Sequence, residues 1–142
     1  MNNNHRPYSH IVDRLRNAGL RPTRQRMALA RILFDGGQRH LTAEQLHAEA
    51  LQDNVRVSLA TVYNTLHQFT SANLLREIVV EPGRSYFDTN TDEHHHFFNE
   101  TSGRLEDIPP GAIDVPQVPE PSDGSDVRRV DVIVRTRDPR QS

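Results

Sequence analysis

The residue pattern predicts an α+β chain: an N-terminal winged helix-turn-helix and a small C-terminal α/β dimerisation domain whose sheet is completed across a dimer. Three observations carry this. Apolar residues recur at helical spacing through four segments up to residue 73, the period then shortens to that of strands, and the charge balance reverses near residue 90. A length of 142 residues, 35% apolar and 25% charged, suits one small globular protein or two very small domains. The boundary is drawn between residues 1–90 and 91–142.

The helices come first. Residues 10–18 put Ile11, Val12, Leu15 and Ala18 on one face, and Gly19 is a stop signal. After Pro22, residues 23–35 carry Met27, Ala30, Leu33 and Phe34 as their apolar stripe, and Gly36-Gly37 ends it. Thr42 and Gln45 form a capping box that opens a helix to about Gln52, with Leu46, Ala50 and Leu51 inward. Ser58 caps a fourth helix to about Asn73, with Leu59, Val62, Leu66 and Phe69 as its core face.

Two short strands follow, Leu74–Glu81 and Ser85–Asp88, around the turn Pro82-Gly83-Arg84. Helices and then a hairpin give the winged-helix order. Beyond them, His94–Asn99 and Gly103–Asp107 read as a hairpin turning at Glu100-Thr101-Ser102. Five prolines between Pro109 and Pro121 mark an irregular loop. Arg128–Arg137 alternates as a strand, with Val130, Val132 and Val134 opposite Asp131, Ile133 and Arg135. A domain of about 50 residues closes a core poorly alone, which predicts a metal or a second subunit.

The charge distribution narrows the function. The net charge of −2 divides into +3 over residues 1–90 (11 Arg, 8 acids) and −5 over 91–142 (6 Arg, 11 acids). Every basic residue is arginine, and the first 31 residues hold seven of them against one acid, Asp13. A basic half joined to an acidic half suits a polyanion-binding module with a separate second role. The absence of cysteine excludes disulfides, iron–sulfur clusters, a thiol nucleophile and a structural four-cysteine zinc site. No apolar run approaches the roughly 20 residues of a membrane span. The N-terminal residues lack the apolar stretch of a secretory signal, so a cytoplasmic protein is expected.

Subtracting the core face from residues 58–69 leaves Ser58, Ala60, Thr61, Tyr63, Asn64, His67 and Gln68 outward. These groups are small, aromatic or hydrogen-bonding, and none is acidic. A helix that enters the major groove of double-stranded DNA needs such a face, because a carboxylate there repels phosphate.

A second cluster follows. Asp88, Asp92, Glu93, His94, His95 and His96 lie within nine residues. On a strand, His94 and His96 share a face about 7 Å apart, and His95 points away. With Asp88 and either Asp107 or Glu106 they form a nitrogen–oxygen shell suited to Fe(II), Mn(II) or Zn(II). The same imidazoles, His94, His95 and His96, are candidate axial ligands for haem.

Ser-Leu-Ala-Thr-Val-Tyr before a hairpin, with Gly-Leu-Arg-Pro-Thr-Arg-Gln-Arg upstream, resembles the ferric uptake regulator (Fur) family over residues 10–107. The resemblance implies a homodimeric, metal-responsive repressor with Tyr63 in the major groove of a palindromic AT-rich operator and Arg21, Arg24 and Arg26 near the phosphates. Ser58, Thr61, Asn64 and His67 complete the implied DNA face; many relatives carry Arg where this chain has Asn64. The implied metal ligands are His40, Asp88, His94, His96 and Asp107, with Glu93, His95 and Asp114 as a weaker second set. The missing cysteine pairs and the His run followed by a proline-containing C-terminal region resemble the iron response regulator (Irr) branch. That branch senses haem and acts on DNA when iron or haem is scarce, although its Cys-Pro haem motif is absent here. Two alternatives stand beside it. One is a repressor that needs Fe(II), Mn(II) or Zn(II) to bind DNA. The other is a small non-haem iron enzyme using His94, His96 and Asp88, for which the chain has too few strands.

Overall fold

The computed structural model of the chain describes residues 9–115 and 117–140. The backbone divides between Thr91 and Asp92 into two compact units.

The first unit contains α1 (Ser9–Asn17), α2 (Arg24–Phe34), β1 (His40–Leu41), α3 (Ala43–Gln52), α4 (Leu59–Ser71), β2 (Arg76–Glu81) and β3 (Arg84–Asp88). The starts of α2, α3 and α4 each have a side-chain acceptor where the first N–H groups lack partners. Thr23 accepts from the Arg26 amide, Ser58 from the Thr61 amide, and Thr42 with Gln45 forms the full capping box. The stops are equally local. Gly19, at φ 80°, ends α1, with Leu20 N–H donating to the Leu15 carbonyl at 2.9 Å. Asn73, at φ 63°, does the same for α4, where Leu74 N–H reaches the Phe69 carbonyl at 2.9 Å.

Ile11, Leu15, Leu29, Leu33, Leu46, Val62, Leu66, Phe69 and Phe87 bury into one core. Two apolar residues expected in it are elsewhere: Leu51 is 53% exposed and Leu59 36%. Leu51 lies at the last turn of α3 and Leu59 at the first residue of α4, where the helix end extends past its neighbour. Thr65, 5% exposed, fills the inward position that the i+3 spacing from Val62 creates.

The wing is the antiparallel sheet β1-β3-β2. Its edge strand β1 has only two residues, too few to show a period, and was not foreseen. It pairs His40 with Asp88 and Leu41 with Phe87, while β2 pairs Arg76 with Asp88 on the other side.

The second unit contains β4 (His95–Asn99), β5 (Leu105–Ile108) and β6 (Ile133–Thr136), in the order β5-β4-β6. Among the described residues the four helices lie in the first unit, and the second carries strands and loops only, so no helix joins the expected C-terminal α/β domain there. The hairpin turns on Asn99, whose Oδ1 accepts from the amides of Thr101 and Ser102 at 2.8 and 3.0 Å. β5 returns the chain to the end where β4 begins, and the proline-rich segment carries it past β4 to the opposite edge, so that β6 runs parallel to β4. β6 is shorter than its alternating sequence, since Val130 and Val132 lie before it; Val132 still gives its carbonyl to His96 N–H at 3.2 Å. No helix among the described residues is long and apolar enough to cross a membrane. Residues 1–8, on which the signal-sequence reading rests, lie outside the described residues.

Candidate metal centre and nucleic-acid face

The second unit brings three of the expected ligands together. The β4–β5 register sets His96 opposite Asp107 and Phe97 opposite Glu106. Asp107 therefore shares the face of His96, and Glu106 projects from the other side. His94, one residue before β4, lies over the same face, with its ring centroid 4.4 Å from that of His96. Both imidazoles are buried, and both Nε2 atoms converge on Asp107 Oδ1, at 3.4 Å from His94 and 3.3 Å from His96.

The electron pairs explain what such an arrangement suits. His94 Nδ1 lies 2.6 Å from the Asp92 carbonyl, which can only accept, so Nδ1 carries the proton. A neutral His94 then directs its Nε2 lone pair at a carboxylate oxygen. A cation between them satisfies both. An ion about 2.1 Å from each of four donors sets those donors about 3.4 Å apart, close to the separations observed. The Asp92 carbonyl also fixes ring orientation, as outer contacts commonly do for ligating histidines.

The other proposed ligands are placed differently. His95 points away: its Nδ1 accepts from the Val132 amide at 3.0 Å and ties β4 to the start of β6. Beside it lies an open groove of about 460 Å³ lined by Ile108, Ile113, Val115, Val118 and Val130. Glu93 also borders that groove, whereas Asp114 does not line it. In the first unit, Asp88 is buried at the end of β3, with Oδ1 accepting from the Asn90 amide at 2.9 Å. His40 is its cross-strand partner and meets the Tyr86 ring edge-on at 6.0 Å.

The expected DNA face lies on the first unit. Tyr63, Asn64 and His67 occupy the outer side of α4; Asn64 and His67 are exposed and Tyr63 half-buried. Ser58 and Thr61 serve the helix start, where the Ser58 hydroxyl donates to Thr61 Oγ1 at 2.9 Å. Arg21 and Arg24 are exposed before and at the start of α2. Arg26 is braced by contacts within the first unit. Its Nη1 donates to the Arg21 carbonyl at 3.0 Å, and Nε and Nη2 donate to Gln68 Oε1 at 3.2 and 3.1 Å. One residue escaped sequence reasoning. The Tyr63 hydroxyl donates to Glu44 Oε1 at 2.6 Å, which holds the Glu44 carboxyl below the usual range and raises the phenol. An acid in the first turn of a helix was visible; its neighbour across the α3–α4 turn was not.

A helix-turn-helix with a wing, joined to a small β unit carrying two histidines and a carboxylate, defines a winged-helix protein with a separate metal-ligand unit. The chain belongs to the ferric uptake regulator family, whose model matches residues 17–130. It is 37% identical over 95 residues to the ferric uptake regulation protein of Cupriavidus metallidurans, a match covering 66% of each chain. It is 36% identical over 94 residues to the peroxide-responsive repressor PerR of Staphylococcus aureus, covering 66% of this chain and 63% of that one. The match thus spans just under two thirds of these relatives' length. These relatives are a regulation protein and a repressor, not enzymes, so the oxygenase alternative gains no support. In fold the chain is similar to the Pseudomonas aeruginosa ferric uptake regulator solved with manganese, with TM-score 0.67, 24% identity, and 90% and 97% of the two chains covered. It is likewise similar to the Vibrio cholerae ferric uptake regulator, with TM-score 0.69, 20% identity, and 89% and 98% covered.

Proposed function

We propose that this chain is a homodimeric, metal-responsive transcriptional repressor that binds double-stranded DNA through the outer face of α4. The observation that carries the reading is the convergence of His94 and His96 Nε2 on one oxygen of Asp107. The donor set, two imidazoles and a carboxylate, suits Fe(II), Mn(II) or Zn(II). Asp88, six positions before His94 in the chain, is the further ligand the sequence names. Ion binding acts on DNA affinity by fixing the spacing of two recognition helices against half-sites.

The second copy is expected on the second unit. β5 and β6 are edge strands, and the sheet face carrying Phe97 and Val134 is only half-buried. A unit of this size gains most from a partner that extends its sheet.

Haem sensing of the iron response regulator type is the second reading, favoured by the open groove beside His95, whose lining includes Ile108, Ile113 and Val130. Against it, His95 Nδ1 already accepts from the Val132 amide, which puts the proton of a neutral ring on Nε2, where an axial ligand needs a lone pair. His94 and His96 meet haem only by leaving Asp107. The geometry therefore favours the divalent ion.

The test is fluorescence anisotropy of an AT-rich palindromic duplex with apo protein, with Mn(II) and with haem, at one salt concentration because phosphate-driven affinity is salt-dependent. Binding that appears with Mn(II) and is lost on chelation is the expected result. Binding that survives chelation and is released by haem replaces this reading with the haem-antagonised one.

A further inference from the structure

The outer surface around α4 is poor in acids, yet Glu44 places a carboxylate on it. Glu44 stands in the first turn of α3, exposed, with Tyr63 across the turn between α3 and α4. An unpaired acid here weakens contact with any polyanion. This one is paired: the 2.6 Å separation from the Tyr63 hydroxyl is that of a strong hydrogen bond from O–H to a carboxylate.

Tyr63 is also supported at its ring. It stacks on His67 at 6.4 Å and 23°, and His67 meets Phe87 edge-on at 5.8 Å and 76°. Phe87 is 1% exposed and belongs to the core. The phenol is thus held at both ends, its ring through His67 to the core and its hydroxyl to α3. Arg84, at the start of β3 in the wing, adds a positive charge that acts on Glu44.

We infer that Glu44 is a positioning residue for DNA recognition: it holds the Tyr63 ring ready for a base edge and keeps the hydroxyl from phosphate until a matching duplex replaces the contact. This rests on the reading of α4 as the DNA-contacting helix. A tyrosine held in one rotamer loses less freedom on binding a matched site. The carboxylate's charge meanwhile weakens binding to matched and unmatched duplex alike, through their phosphates. Glu44 therefore raises discrimination through its hydrogen bond to Tyr63, at some loss of total affinity through its charge.

The experiment compares wild type, E44Q, E44A, Y63F and E44A/Y63F with Mn(II), on the AT-rich palindrome and on a shuffled duplex of the same composition. Circular dichroism checks that each variant is folded. E44Q keeps an oxygen that accepts from the phenol and removes the charge, so it is expected to bind both duplexes more tightly and to preserve most of their ratio. E44A is expected to lower the ratio by about 2- to 10-fold, the effect of freeing one side chain. Y63F should lower it similarly, and the double variant should be no worse than either single one. An unchanged ratio in E44A, or effects of E44A and Y63F that simply add, overturns the proposal. Wild type that distinguishes neither duplex, with or without Mn(II), instead overturns the DNA-helix reading, and this inference with it.

Discussion

Asp107 sits directly across the β4–β5 ladder from His96, and its Oδ1 lies 3.3 Å from that residue's Nε2 and 3.4 Å from His94 Nε2. One oxygen thus lies between two imidazoles. The sheet register alone selects Asp107 over its neighbour Glu106, since successive strand residues face opposite ways.

That selection is measurable. D107A and H96A should each weaken Mn(II) or Zn(II) binding by on the order of 10- to 100-fold or more, read by isothermal titration calorimetry. E106A should leave affinity within about twofold of wild type, because its side chain projects from the other face. Equal losses in D107A and E106A would show that the ladder does not choose the ligand.

His95 separates structure from ligation inside one tripeptide. H95A removes the acceptor for the Val132 amide and should destabilise the second unit by about 1–2 kcal/mol in urea unfolding, with ion affinity nearly unchanged. A large drop in ion affinity at constant stability would make His95 a ligand after all.

Arg26 and Arg24 differ in the same way. Arg26 donates to Gln68 and to the Arg21 carbonyl, so R26A should lower stability by about 1–2 kcal/mol. Its coupling to Gln68 should emerge in a double-mutant cycle with Q68A. R24A, at an exposed position, should leave the unfolding midpoint unchanged and reduce the salt dependence of DNA binding by about one counterion.

The Glu44–Tyr63 contact gives a pH dependence with a definite sign. The phenol hydroxyl holds the Glu44 carboxyl below its ordinary range, so the contact's stabilisation is fully present above that range. It is lost as the pH falls through the lowered value. Thermal melts of wild type and E44Q, taken from neutrality down past the lowered value to about pH 3, should converge at the acid end. A stability difference that stays constant over that range would contradict the assignment.

The cap of α3 is testable without any ligand. T42A removes the hydroxyl that accepts from the Gln45 amide at 3.1 Å and should reduce stability by about 1 kcal/mol in urea.

Helix starts and stops, the wing hairpin, the acid-free outer side of α4 and the His run were all legible in the sequence, because each depends on contacts a few residues apart. Thr42 with Gln45, Ser58 with Thr61, and Gly19 need no distant partner to act. The proline-rich segment was equally legible as a loop, for proline removes the donors a helix requires. What local pattern could not supply was every relationship across long sequence separations. Packing of α3 on α4 brought Glu44 to Tyr63, and packing of α2 on α4 brought Gln68 to Arg26, giving an arginine expected near the phosphates an internal brace. Pairing of strands chose Asp107 over Glu106, set His40 opposite Asp88, and turned His95 toward Val132. A side chain's residue type and face follow from its neighbours along the chain, but its partner depends on register and helix packing, which exist only once the distant segments have met.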